Sequence, residues 1–109
     1  MKVAIATDGN EVSQHFGRCE GYNFYRVEDG KVTNRVFEVN PGHAPGAIPK
    51  WLNERGADVI IAGGAGPKAQ GYFKDFGMKC VLGVSGKISE VIELYAAGKL
   101  EGGESSCDH

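Results

Sequence analysis

Two short, mainly apolar runs, each ending at a glycine-containing turn, place the strongest constraint on the fold of this chain. The runs cover residues 3–7 and 58–62, and they are followed by Gly9 and by residues 63–66, here called the glycine loop. Because consecutive positions are apolar, we expect strands buried on both faces, as in the centre of a parallel sheet. We expect the two strands to be neighbours in the sheet, so that their carboxyl ends share one rim, where open α/β sheets bind ligands.

The rest of the pattern predicts more strands and helices around these two. Residues 22–28 and 31–39 are rich in aromatic and β-branched residues and flank Asp29-Gly30, which is typical of a type I′ hairpin turn. Helical spacing and glycine stops predict three helices. The full prediction is an α/β fold with a mixed five-stranded sheet flanked by three helices, in the order βββαβαβα: strands at 3–7, 22–28, 31–39, 58–62 and 79–84, helices at 47–55 and 67–75, and a last helix from Ile88 to Gly98.

A single domain over residues 1–100 is expected from the length of 109 residues. Residues 101–109 contain three acidic residues and no Lys or Arg, and they show no periodicity, so we expect a flexible acidic tail. Core positions are predicted for Cys80 and for four aromatic residues at helical spacing: Trp51, Tyr72, Phe73 and Phe76.

Composition excludes several classes of function. The formal net charge of −2 argues against general nucleic-acid binding, which needs a basic surface. Apolar runs are too short for a membrane-spanning helix, and the first residues do not resemble a signal peptide. We therefore expect a cytoplasmic protein. Its three cysteines, Cys19, Cys80 and Cys107, are far apart and odd in number, which favours reduced thiols over disulfide bonds.

Residues 64–69 read GAGPKA and fit the pattern GxGxxA between a strand and a helix, the context of a dinucleotide-binding loop. That assignment needs an acidic residue at the end of the next strand, where this chain has Val84 and Ser85. Two interpretations remain. Either the helix N-terminus and the backbone N–H groups face an anion or a metal cluster, or the glycines serve tight packing alone.

Residues 8–20 form a long predicted loop in which His15 and Cys19 lie four positions apart. Imidazole and thiolate are ligands that iron, copper and sulfide clusters prefer. Arg18 would lower the thiol pKa or hold an anionic ligand. The alternative is that His15 only hydrogen-bonds the loop and that Cys19 is buried. His43 is a further exposed candidate ligand.

The chain ends in Cys107-Asp108-His109 on a glycine-rich tether. A flexible segment can reach a distant site at little entropic cost, so Cys107 and His109 are candidates for completing a coordination sphere. A disordered terminus without a role is the alternative.

The sequence shows no catalytic constellation. The predicted order of elements resembles the ribonuclease H fold, whose nuclease activity needs several carboxylates around metal ions. Asp8 supplies one carboxylate, but the strand at 58–62 ends in glycines and Glu54 lies near the far end of its helix. We therefore do not expect a nuclease.

Two motifs together resemble a known family. S-x-H-F-G-R-C at residues 13–19 and GADVIIAGGAGPKA at residues 56–69 resemble the dinitrogenase iron–molybdenum cofactor biosynthesis family, which is similar to the orange-protein group. The resemblance implies a ribonuclease H-like fold without nuclease activity. It also implies transient binding of a metal–sulfur cluster of iron, molybdenum or molybdenum–copper type. Cys19 stands where many members have a small residue.

From the residues and this resemblance we predict a non-enzymatic protein that binds, stores or transfers a metal–sulfur cluster or its precursor. The resemblance implies cluster donor and acceptor proteins as partners, and we expect a monomer or weak dimer. A small cysteine-dependent thiol enzyme and a metal-free docking module are the alternatives. The predicted metal ligands are His15, Cys19, Cys107 and His109, and the predicted cofactor-binding residues are His15, Arg18, Gly64, Ala65 and Gly66.

Overall fold

The computed structural model of the protein describes residues 1–42 and 47–100. The predictions on His43, on Cys107 and His109, and on the flexible tail at 101–109 lie outside the described residues. In the described ranges the chain forms a mixed α/β structure with these elements: β1 Lys2–Asp8, β2 Glu11–Val12, β3 Gly21–Glu28, β4 Lys31–Val39, α1 Ala47–Glu54, β5 Val59–Ile61, α2 Pro67–Asp75, β6 Lys79–Val81 and α3 Ile88–Ala96.

The sheet has the strand order β4-β3-β1-β5-β6, with β2 paired to β1 at the side. β1 and β5 are parallel neighbours, in register from Val3 opposite Val59 to Ile5 opposite Ile61. The prediction that the two apolar runs are adjacent in the sheet is therefore confirmed. Their burial on both faces explains the arrangement, because a strand covered on both sides needs apolar residues at every position.

The predicted strand count and element order were wrong by one strand. β2, a strand of two residues, folds back on β1 through the turn at Gly9, so that Thr7 lies opposite Val12. Two residues are too few to show a period of two in the sequence, so nothing marked this strand. The sheet therefore has six strands, and the ribonuclease H-like assignment stays a prediction.

The hairpin between β3 and β4 is confirmed. Asp29 and Gly30 have positive φ angles of 52° and 76°. Positive φ at both central positions defines the type I′ turn, whose twist matches that of the strands it joins. The strands stay paired along their length, with one irregularity in register between Tyr25 and Arg26.

The core has two layers, one on each face of the sheet. α1 and α2 cover one face, where Leu52 and Phe73 pack on β-strand residues such as Tyr22. α3 covers the other face, where Ile92 packs on residues such as Ile5. Cys80 and Phe73 are fully buried, as predicted, and Trp51 packs against the core from a half-buried position. The core prediction was wrong for Tyr72 and Phe76, which are both exposed.

No helix within residues 1–42 and 47–100 is long and apolar enough to cross a membrane.

Candidate functional site

The loops that follow β1 and β5 meet at one rim of the sheet, as predicted. Residues 13–18, here called the histidine loop, are joined to the glycine loop by two backbone hydrogen bonds. Gly63 N–H donates to the Ser13 carbonyl at 2.7 Å, and Phe16 N–H donates to the Gly64 carbonyl at 2.9 Å. Because both partners are backbone groups, the contact is a property of the fold and not of particular side chains.

Gly63 allows this close approach. A Cβ atom at position 63 would lie 2.8 Å from Cα of Gln14, a distance that real Cβ atoms do not adopt. At Gly64 the corresponding Cβ would lie 3.2 Å from the Gln14 carbonyl oxygen. Tight packing is therefore the reason for glycine at position 63, which was one of the two interpretations of the loop.

Three successive carbonyl groups of the glycine loop point into the protein and accept hydrogen bonds. The Gly63 carbonyl accepts from Gly83 N–H at 2.9 Å, the Gly64 carbonyl accepts from Phe16, and the Ala65 carbonyl accepts from Nε2 of Gln70 at 2.9 Å. In a trans peptide the C=O and N–H groups point in opposite directions. The N–H groups at positions 64, 65 and 66 therefore point away from these partners, and within the described chain they donate no hydrogen bond.

A cleft of about 460 Å³ lies between the histidine loop, the glycine loop and two helix starts. Three of the predicted residues or groups are at its wall: His15, Arg18 and residues 64–66. α2 begins at this wall with Pro67 as its first residue, so the positive end of the helix dipole lies beside the cleft. The remaining lining residues are Gln14, Phe16, Gly17, Ile48, Pro49, Lys68, Ala69 and Tyr72.

The charge of the cleft is positive. Arg18 and Lys68 are exposed cations at its wall, and no Asp or Glu is among its lining residues in the described part of the chain. The side chain of His15 is exposed and makes no hydrogen bond to another described residue. The loop is instead shaped by Ser13, whose Oγ accepts from the His15 backbone N–H at 3.1 Å. An anion with soft or hydrogen-bond-accepting surface atoms would suit this lining.

Cys19 does not line the cleft. It is 5% exposed, and its thiol donates to the carbonyls of Phe16 at 3.4 Å and Gly21 at 3.3 Å. Burial raises the pKa of this thiol, so the lowering expected from Arg18 was wrong. A protonated, internally hydrogen-bonded thiol is a poor metal ligand, because the thiolate is the form that binds metals.

Several groups behind the cleft wall hold the turn at Phe16–Arg18, which is a 3₁₀ helix. The Phe16 ring packs edge-on against Phe73 with centroids 4.7 Å apart, and Tyr22 donates its hydroxyl to the Phe16 carbonyl. Asn40 Nδ2 donates to the Cys19 carbonyl at 2.9 Å. These contacts anchor the segment that carries His15 and Arg18.

Comparison with known proteins identifies the family. Residues 1–98 match the family described as dinitrogenase iron-molybdenum cofactor. The chain belongs to this family. It is 35% identical over 106 residues to the protein MJ0580 of Methanocaldococcus jannaschii, covering 93% of this chain and 90% of that protein. The resemblance inferred from the two motifs is thus confirmed.

Solved structures agree with this assignment. The crystal structure of PH0822 has a TM-score of 0.87 and 36% identity, over 95% of this chain and 97% of the other. The apo form of the orange protein from Desulfovibrio gigas has a TM-score of 0.77 over 96% and 94% of the two chains. At 21% identity, the likeness to the orange protein shows a shared fold alone.

The described residues of this family member provide few metal ligands. Within residues 1–42 and 47–100, no group of three or more His, Cys, Asp or Glu side chains is placed to hold a metal ion. The structure brings His15, Arg18 and residues 64–66 together and leaves Cys19 apart. The ligand roles of Cys107 and His109 stay predictions, because both residues lie outside the described ranges.

The lining residues that were not predicted from the sequence include Ile48, Pro49, Lys68 and Tyr72. A signal existed for Lys68 and Tyr72. Once Pro67 marks the start of α2, positions 68 and 72 lie one turn apart on the helix face that follows the glycine loop. No comparable signal existed for Ile48 and Pro49, because their place depends on how α1 packs.

Proposed function

We propose that this protein binds an anionic metal–sulfur cluster, or a precursor of one, as cargo in the cleft between the histidine and glycine loops. The observation that carries the proposal is a cleft lined by an exposed imidazole, two cations and the glycine loop, with no carboxylate among its described lining residues. Membership of the dinitrogenase iron-molybdenum cofactor family supports a cargo of this chemistry.

The cleft fits such a cargo in two respects. Sulfide-bearing metal anions carry negative charge, which Arg18, Lys68 and the amino end of α2 would balance. They also have large, polarisable surfaces, which pack well against apolar side chains such as Ile48, Ala69 and Tyr72. His15 would supply the protein ligand in the described part of the cleft, since imidazole suits iron and copper.

We propose a carrier and not an enzyme. A site with few protein ligands holds its cargo loosely, which suits uptake from a donor protein and release to an acceptor protein. Cys107 and His109 would supply additional ligands. The thiol-enzyme alternative is not favoured, because Cys19 is buried and its pKa is raised. The metal-free docking module has no specific observation in its favour.

The direct test is anaerobic purification followed by measurement of bound iron, molybdenum, copper and sulfide. The apo protein is then titrated with tetrathiomolybdate, a molybdenum–sulfide dianion, and binding is followed by visible absorption. Stoichiometric, saturable uptake is expected. No metal in the purified protein and no saturable binding of the dianion would remove the cargo proposal and leave the docking module.

Replacement of His15 and Arg18 locates the site. We expect His15→Ala and Arg18→Ala each to weaken tetrathiomolybdate binding about tenfold, since each side chain can donate a hydrogen bond to a charged sulfide, a contact that contributes ~1.5 kcal/mol or more. Arg35→Ala is the matched control, because Arg35 is exposed on β4 and does not line the cleft. Circular dichroism checks that all variants keep the fold. Unchanged affinity in both cleft variants would place the cargo elsewhere.

A further inference from the structure

One peptide of the glycine loop is held by a side chain. Of the three inward carbonyls of this loop, those of Gly63 and Gly64 accept hydrogen bonds from backbone N–H groups. No substitution other than proline removes a backbone donor. The Ala65 carbonyl differs, because it is held by the side-chain amide of Gln70, one turn into α2, at 2.9 Å.

The peptide between Ala65 and Gly66 precedes a glycine, which lowers the cost of turning this peptide over. A flip of this peptide changes φ of residue 66 by roughly half a turn, from its present −68° to a positive value. Glycine adopts positive φ at little cost, whereas other residues do not.

A flip would reverse the chemistry at the cleft. The Gly66 N–H group would turn inward and the Ala65 carbonyl oxygen would turn outward, which replaces a donor by an acceptor. An acceptor oxygen repels an anion. We infer that Gln70 is a positioning residue that holds the Ala65–Gly66 peptide with its N–H group available to the cargo. This inference rests on the proposed function.

The test compares Gln70→Met with the wild-type protein. Methionine has nearly the shape of glutamine but cannot donate to the Ala65 carbonyl. We expect Gln70→Met to bind tetrathiomolybdate about tenfold more weakly, with Gln70→Glu weaker still at pH 7, because the carboxylate repels both the carbonyl and the anion. Asn53→Met is the matched control, since it replaces an exposed side-chain amide in α1, away from the cleft.

A second readout needs no cargo. In ¹H–¹⁵N spectra of the apo protein, the Gly66 amide resonance is expected to shift in Gln70→Met and to stay in place in Asn53→Met. A purely structural role of Gln70 would lower the melting temperature without a selective change at Gly66. Wild-type affinity together with an unmoved Gly66 resonance in Gln70→Met would overturn the positioning role alone. Absence of binding by the wild-type protein would overturn both the inference and the proposed function.

Discussion

Burial of the Cys19 thiol, with hydrogen bonds to two carbonyls, sets its reactivity. Because the pKa is raised, little thiolate is present near neutral pH. We expect iodoacetamide to alkylate Cys19 at pH 8 at least about tenfold more slowly in the native protein than in urea. Peptide mass spectrometry separates this residue from the other cysteines. Equal rates in both states would show that the thiol is accessible and would revive its role as a ligand.

The raised pKa of Cys19 predicts that the folded state loses stability at alkaline pH. The unfolded chain loses the Cys19 proton near 9.0, whereas the folded chain keeps it to higher pH. The contribution of Cys19 to the stability of the folded state is therefore present below the pKa of the unfolded chain. It is lost as pH rises through the pKa of the folded chain. Part of the alkaline loss of stability, measured by urea unfolding, should disappear in Cys19→Val. An identical pH profile in the variant would contradict the assignment.

The orientations of His15 and Cys19 could not be predicted from the sequence. The spacing of His15 and Cys19 made their loop a candidate site, and the loop lines a cleft, but the spacing could not show to which side of the turn each side chain points. Arg18 and His15 face outward, while Cys19 is drawn inward by the Phe16 and Gly21 carbonyls. That difference arises from tertiary hydrogen bonds, which a spacing of four residues does not encode.

At the scale of structural elements, the contact between the histidine loop and the glycine loop depends on the absence of a side chain at position 63. We expect Gly63→Ala to lower the free energy of unfolding by about 1–3 kcal/mol, because its Cβ would overlap Gln14. Cargo affinity should fall with it. Gly71→Ala is the control: position 71 lies within α2 with open space around it, so alanine should stabilise by ~0.5–1 kcal/mol. Denaturant unfolding measures both, and equal effects would contradict the proposed packing.

Elements with a strong local pattern were predicted correctly. β1 and β5 carry continuous apolar runs, the β3–β4 turn carries Asp29-Gly30, and α2 begins at a proline. β2 was missed because a two-residue strand has no period. The approach of α1 to the cleft, through Ile48 and Pro49, was missed because it results from packing between α1 and α2 and not from any local signal.

At the scale of the whole molecule, the charges are distributed unevenly. The described residues carry 11 Asp and Glu and 12 Lys and Arg, and the described lining of the cleft includes Arg18 and Lys68 but no carboxylate. Surroundings of nearly balanced charge do not attract anions in general, whereas a positive cleft attracts them at one place. The fold contributes to this separation because the glycine loop and the amino end of α2 add positive potential without adding a charged residue.

The dependence of binding on salt concentration tests this electrostatic account. Between about 0.1 M and 1 M salt the Debye length falls from ~10 Å to ~3 Å, so the attraction of exposed cations for a dianion weakens. We expect the affinity of the wild-type protein for tetrathiomolybdate to fall severalfold over this range of KCl. The double variant Arg18→Ala/Lys68→Ala is expected to bind weakly, and its affinity should depend much less on the KCl concentration. Arg35→Ala/Lys74→Ala removes the same formal charge from exposed positions outside the cleft and should keep the wild-type slope. If the two double variants have the same slope, net charge and not the cleft controls binding. A flat wild-type response would instead assign the affinity to His15 and to uncharged contacts.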